Sequence, residues 1–131
     1  MAFLYKKLAF CYFHPIFAAI NKGMKILVLS ETDACCGPMA AAFLRDYSTS
    51  MEVVSAGRNP LQSIDPMMIR VMKECLVDMS GYVPRDAKGI DSSDFDAVYE
   101  CPEIVCENTI DAYRKMRDFI KNEAYLYFRS L

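Results

Sequence analysis

Short, branched apolar runs alternate three times with longer stretches of helical periodicity, and this alternation constrains the chain more than any other feature. Lys25 to Leu29 reads KILVL, a continuous apolar run of the kind found in a parallel strand buried on both faces. A second short strand runs from Met51 to Ser55 and closes in Ala56-Gly57, with Asn59-Pro60 marking the loop beyond. A third, FDAVY, spans Phe95 to Tyr99. Between the first two, Gly37 and Pro38 sit where a helix begins, since proline's missing N–H is unpaired in the first turn anyway. The residues MAAAFLRDY that follow place Met39, Ala40, Phe43, Leu44 and Tyr47 on one face. Asp65 and Pro66 open a second helix, with Asp65 as its cap and Met68, Met72, Cys75, Leu76 and Met79 at helical spacing. From Asn108 to about Phe128 a third stripe comprises Ile110, Tyr113, Met116, Ile120, Ala124 and Tyr127.

Strand and helix in strict turn, with no internal repeat, predict an α/β three-layer sandwich: a small parallel sheet of three to four strands with helices on both faces. Ligands of such sheets bind beyond the carboxyl ends of the strands, which directs attention to residues 30 to 37. A strand, a short loop and a helix N-terminus together form an anion site by construction, because unpaired N–H groups and the positive end of the helix dipole converge there.

With 131 residues the chain suits one domain, assigned here to residues 24–131. Residues 1–23 form an N-terminal apolar extension in which Lys6 and Lys7 precede a run from Leu8 to Ile20, interrupted by His14 and Pro15. Thirteen residues fall short of the roughly 20 a membrane span requires. The preferred reading is an upstream extension of a start at Met24; a peripheral helix and a cleaved signal peptide are the alternatives.

The overall charge of −2 hides an asymmetry, since from Met24 onward 12 basic residues face 17 acidic ones, a net of −5. A negative body offers no footprint for nucleic acid and opposes a polyanionic substrate. The six cysteines, at 11, 35, 36, 75, 101 and 106, lie among βα patterns rather than in a secreted disulfide framework. They read as reduced thiols of a cytoplasmic protein. Their spacings match no familiar zinc pattern and the lone His14 lies in the extension, so neither a metal nor a cofactor is expected.

The segment MKILVL followed by PMAAAFLR resembles the opening of the low-molecular-weight tyrosine phosphatases and their arsenate reductase relatives. The resemblance continues through VVSAGRNP at 53–60, IDPMMIRVMKECLVDMS at 64–80 and FDAVYEC at 95–101, and the final helix with YRKMRDFI is compatible. In that family the loop reads Cys-x5-Arg followed by Ser or Thr. Carried onto this chain, the nucleophile position is Ser30, the arginine position Cys36 and the small hydroxyl position Gly37, with Glu31, Thr32, Asp33, Ala34 and Cys35 between them. None of the three motif positions matches. A serine hydroxyl with no adjacent base is a far weaker nucleophile than a thiolate. Cys36 cannot supply the planar fork with which arginine clamps a transferring phosphoryl group, worth about 10³-fold in rate. Glu31 and Asp33 add carboxylates to a loop that the resemblance implies should hold a dianion. The family's general acid sits on an Asp-Pro pair ahead of the last helix, whereas here Asp65-Pro66 opens another helix, and the domain is shortened between Cys101 and Asn108.

The resemblance therefore implies a phosphatase-like protein impaired in catalysis, serving as a binding or regulatory module for a protein partner or, weakly, for phosphate or another oxyanion. A second reading follows from the arsenate reductase relatives, which carry two further cysteines after the third strand. Cys101 and Cys106 occupy that region, and a redox version would use Cys35 or Cys36 with them as resolving partners. The plainer reading is that these cysteines pack as small apolar residues.

Overall fold

A computed structural model describes residues 23–131; the expectations for the extension, with Cys11 and His14, lie outside the described residues. β1 (Lys25–Ser30) is the central strand of a three-stranded, all-parallel sheet, flanked by β2 (Glu52–Gly57) and β3 (Ala97–Glu100) in the order β2-β1-β3. Ile26 lies opposite Val53 on one side and Ala97 on the other, and Ser30 ends the ladder opposite Gly57. The central position explains the unbroken apolar run, because Ile26, Leu27 and Val28 are all buried. The sheet and its three helices form the expected α/β sandwich.

α1 (Cys36–Tyr47) begins two residues before the expected proline, so Gly37 and Pro38 fall inside its first turn. Its earliest backbone bond runs from Met39 N to Cys35 O at 3.1 Å. Every residue from Cys36 to Leu44 is buried, and the alanines at 40–42 let the helix lie close to its neighbours, where larger side chains would hold it off. α3 (Ile110–Ser130) packs along α1 and buries Met116, Ile120, Ala124 and Phe128. Its last buried position is thus Phe128 rather than Tyr127, whose ring instead lies 4.5 Å from that of Tyr99 on β3. Thr109 caps α3, its Oγ1 accepting from Ala112 N at 3.2 Å.

α2 (Pro66–Lys73) starts where the sequence places it, with Asp65 Oδ1 accepting from Met67 N at 2.9 Å. It stops earlier than its apolar stripe suggests. Leu76 adopts a left-handed conformation, φ 63°, and is 96% exposed. The Val77 N–H returns to Met72 O and the Leu76 N–H to Lys73 O, the paired bonds of a Schellman ending. Cys75 and Leu76 are therefore not helix core, although Met79 is buried beyond the turn. Among the described residues, no helix is long and apolar enough to cross a membrane.

Candidate functional site

The carboxyl ends of the strands meet at residues 31–35, which join β1 to α1. The loop's carbonyls are held by the chain leaving β2: Ser30 O accepts from Arg58 N at 3.0 Å, Glu31 O from Asn59 N at 2.7 Å, Thr32 O from Leu61 N at 3.1 Å, and Ala34 O from Asp65 N at 2.9 Å. This close approach requires glycine at the end of β2, because a Cβ on Gly57 would stand 2.9 Å from the backbone of Thr32 and Asp33. Backbone contacts, not the loop's side chains, therefore set most of its path.

Asp33 completes the shape. It lies in the left-handed region, φ 50°, which aspartate tolerates better than most residues, and it is fully buried. One carboxylate oxygen accepts from the Tyr82 hydroxyl and from Arg85 N at 2.8 Å, while the other has no hydrogen-bond partner among the described residues. The Tyr82 hydroxyl also meets Ser55 Oγ on β2 at 2.6 Å. Burial pushes the Asp33 carboxyl above the usual carboxylate range, against the lowering effect of these donors. Asp33 thus clamps the loop to residues 82–85, a role not apparent in the sequence because both partners are about fifty residues away. The nearest sequence signal is an aspartate between two small β1–α1 loop residues, a type that favours turns.

Ser30 is 1% exposed, and its Oγ accepts from Asp33 N at 3.2 Å. A Cβ on Gly37 would clash outright with that oxygen, so the small residue at 37 makes room for the hydroxyl at 30. Cys36 is buried, its Sγ directed at Met116 Sδ of α3, 3.7 Å away. The neighbouring thiol of Cys35 is partly exposed. The Cys35 thiol pulls the Cys36 thiol below its ordinary value, opposed by burial and helped by the Ile104 N–H, while the Cys36 thiol and burial push Cys35 up. Burial foremost, and then the proximity of Cys36, raises both Cys101 and Cys106. Cys35, Cys36, Cys101 and Cys106 are thus gathered at one end of the sheet.

Carboxylates ring the mouth of the loop. Glu103, which the sequence did not single out, places Oε1 3.4 Å from Thr32 N. Glu31 accepts from Asn59 Nδ2 at 2.5 Å, and Glu100 takes both of its oxygens to Arg58 Nη2 at 2.8 and 2.7 Å. Asp65, besides capping α2, accepts from the Tyr113 hydroxyl at 2.5 Å. The acidic character expected of the site is present, but it comes from Glu31, Glu100 and Glu103, since the Asp33 side chain is buried beneath the loop. Among the described residues, no group of three or more His, Cys, Asp or Glu side chains is arranged to hold a metal.

The family described as low molecular weight phosphotyrosine protein phosphatase matches residues 25–127. The chain belongs to this family. No curated protein sequence matches it. Among solved structures, an arsenate reductase in its phosphate-binding state superposes with a TM-score of 0.71 at 16% identity, over 82% of this chain and 98% of that one. The tyrosine phosphatase of Erwinia amylovora gives 0.70 at 18% identity, over 82% and 92%. Vibrio vulnificus Wzb, solved with benzylphosphonate, gives 0.68 at 18%, over 83% and 99%. At these identities the likeness establishes the fold. For this low-molecular-weight phosphatase family member, phosphatases and arsenate reductases are equally near in structure, so the chemistry has to be argued from its own loop.

Proposed function

We propose that this chain is a family member without phosphoester hydrolysis, a pseudophosphatase that keeps the scaffold as a binding or regulatory module. The observation that carries this reading is the state of Ser30: the side chain at the nucleophile position is almost wholly buried and its oxygen is engaged by the Asp33 N–H. Such a hydroxyl neither reaches a substrate nor has a base to activate it. The arginine position supports the same conclusion, since Cys36 is buried against Met116 and cannot donate the two parallel N–H groups that grip a phosphoryl oxygen pair. Glu31 and Glu103 further oppose a dianion at the loop, so any phosphate bound there is held weakly. A protein partner in the cytoplasm is the better candidate ligand. The test is hydrolysis of p-nitrophenyl phosphate: the expected rate is that of buffer, and turnover abolished by Ser30→Ala would refute the reading.

A second reading, a thiol reductase of the arsenate reductase type, is favoured by the place of Cys36 as the first residue of α1 and by the nearness of Cys101 and Cys106 to it. It requires arsenate-dependent consumption of a thiol reductant that is lost in Cys36→Ser. No such consumption by the reduced protein would dismiss it.

A further inference from the structure

The two edges of the sheet are finished differently. On β2, the residues that turn away from β1 are all engaged. Val53 O accepts from Arg45 Nε and Nη2 at 3.1 and 2.9 Å, Ser55 O accepts from the Tyr82 hydroxyl at 3.2 Å, and Gly57 N donates to Arg85 O at 2.8 Å. On β3, Asp96 N donates to Lys25 O at 2.7 Å, so the alternation of a parallel ladder turns the N–H and C=O groups of Ala97 and Tyr99 outward. Among the described residues no further strand and no side-chain hydrogen bond meets them, and residues 101–109 run on to α3 without pairing with β3.

We propose that this edge of β3 docks an extended, basic segment of a partner protein, which joins the sheet as a fourth strand. The inference rests on the binding-module reading above and names the chemistry of the partner. An open edge with outward donors and acceptors is a template for one more strand. Val98 on β3 is 38% exposed and Val105, in the stretch beyond it, is 96% exposed, so apolar side chains of an incoming strand have surface to cover.

Charge selects which strand that is. Between Asp86 and Asp111 eight acidic residues face Lys88 alone, a net of −7, whereas the whole body from Met24 carries −5. The acidic surplus of the protein is therefore concentrated around β3. Arg58 takes up Glu100 and Arg114 takes up Asp111. The exposed carboxylates of Asp86, Asp91, Asp94, Asp96, Glu103 and Glu107 have no cationic side chain in salt-bridge reach among the described residues. A second copy of the chain would bring the same negative segment to the edge and be repelled, while a segment carrying Lys or Arg is drawn in. Opposite charge thus steers the partner, and the backbone groups of Ala97 and Tyr99 fix its register.

The test uses labelled peptides of about six residues, a usual strand length. One alternates lysine with valine, one has the same charge but proline in place of its central valines, and one alternates glutamate with valine. The full chain is titrated against each by fluorescence anisotropy at low salt, and amide hydrogen exchange of residues 97–100 is followed by NMR with and without the first peptide. The lysine–valine peptide should bind about tenfold more tightly than its proline counterpart, the worth of one or two net backbone hydrogen bonds. Its affinity should fall as salt rises, and the glutamate peptide should not bind. Exchange at Ala97 and Tyr99 should slow on binding, and Val98→Lys, a change at an exposed position, should weaken the lysine–valine peptide about tenfold. Equal affinity for the two lysine peptides, or none for either, overturns the proposal. So does slow exchange of Ala97 and Tyr99 before any peptide is added, which would mean that residues 1–22 or a second copy already fill the edge. A silent hydrolysis assay together with no peptide binding removes this docking site and leaves the pseudophosphatase reading standing, whereas turnover removes that reading alone.

Discussion

Replacing Asp33 tests directly whether a buried carboxyl holds the loop in shape. In Asp33→Ala the Arg85 N–H loses its acceptor within the protein, at about 1–3 kcal/mol for a stranded donor. The Tyr82 hydroxyl loses one bond but keeps Ser55, whose carbonyl oxygen is 3.2 Å away, so its loss is nearer 1 kcal/mol. Alanine at φ 50° adds about 1 kcal/mol relative to aspartate. Relief of the unpartnered Asp33 oxygen and of carboxyl burial offsets part of this, leaving a net loss of about 3 kcal/mol from a total stability of about 5–15 kcal/mol. With a urea slope of about 1.5 kcal/mol/M, the unfolding midpoint should fall by about 2 M. Asp33→Asn tolerates the same backbone and still accepts from Arg85, and should stay within about 1 kcal/mol of the parent. The two proteins should diverge with pH. Because the folded-state carboxyl titrates above its ordinary value, its stabilising contribution is complete below the unfolded pKa and is lost as pH rises through the folded one. The parent should therefore lose stability from pH 4 upward relative to Asp33→Asn. A midpoint drop of less than about 0.5 M in Asp33→Ala, or parallel pH curves for the parent and Asp33→Asn, would refute the clamp.

Gly37→Ala should destabilise by about 1–3 kcal/mol through its clash with Ser30 Oγ, and adding Ser30→Ala should recover part of that loss in a thermal melt. Tyr113→Phe removes the bond to Asp65 while leaving the α2 cap in place, so a loss of about 1 kcal/mol and a Tm lower by a few degrees are expected by calorimetry. Glu103→Gln removes a charge that raises both loop thiols, and should speed reaction of Cys35 with iodoacetamide about fivefold at neutral pH, as followed by mass.

The parts of the fold that follow from local periodicity were legible in the sequence. KILVL reads as a central strand because burial on both faces leaves no room for polar residues, and Asp65-Pro66 reads as a helix start because the cap and the proline act within one turn. The end of α2 departs from its apolar spacing for a related reason. Cys75 and Leu76 keep the helical spacing, but the backbone turns left-handed at Leu76, a conformation that no short-range pattern predicts for leucine. At the site, the motif positions could be located, whereas their surroundings could not. Glu103 reaches Thr32, and Tyr82 and Arg85 reach Asp33, only because distant loops fold over the strand ends.

The same geometry explains how the fold can outlast its loop chemistry. Four carbonyls of residues 30–34 are fixed by N–H groups from residues 58–65, and Gly57 admits the loop against β2, so none of these constraints depends on the side chains at positions 30, 36 or 37. A thiol, an arginine and a hydroxyl at those positions can be exchanged for Ser30, Cys36 and Gly37 without undoing the bonds that shape the turn. The replacements are not independent, however. Ser30 Oγ sits where a side chain on residue 37 would have to go, so restoring the hydroxyl at 37 alone would push against Ser30. Recovery of a phosphatase loop therefore calls for coordinated changes at 30, 36 and 37, and single reversions are expected to cost stability before they return any activity.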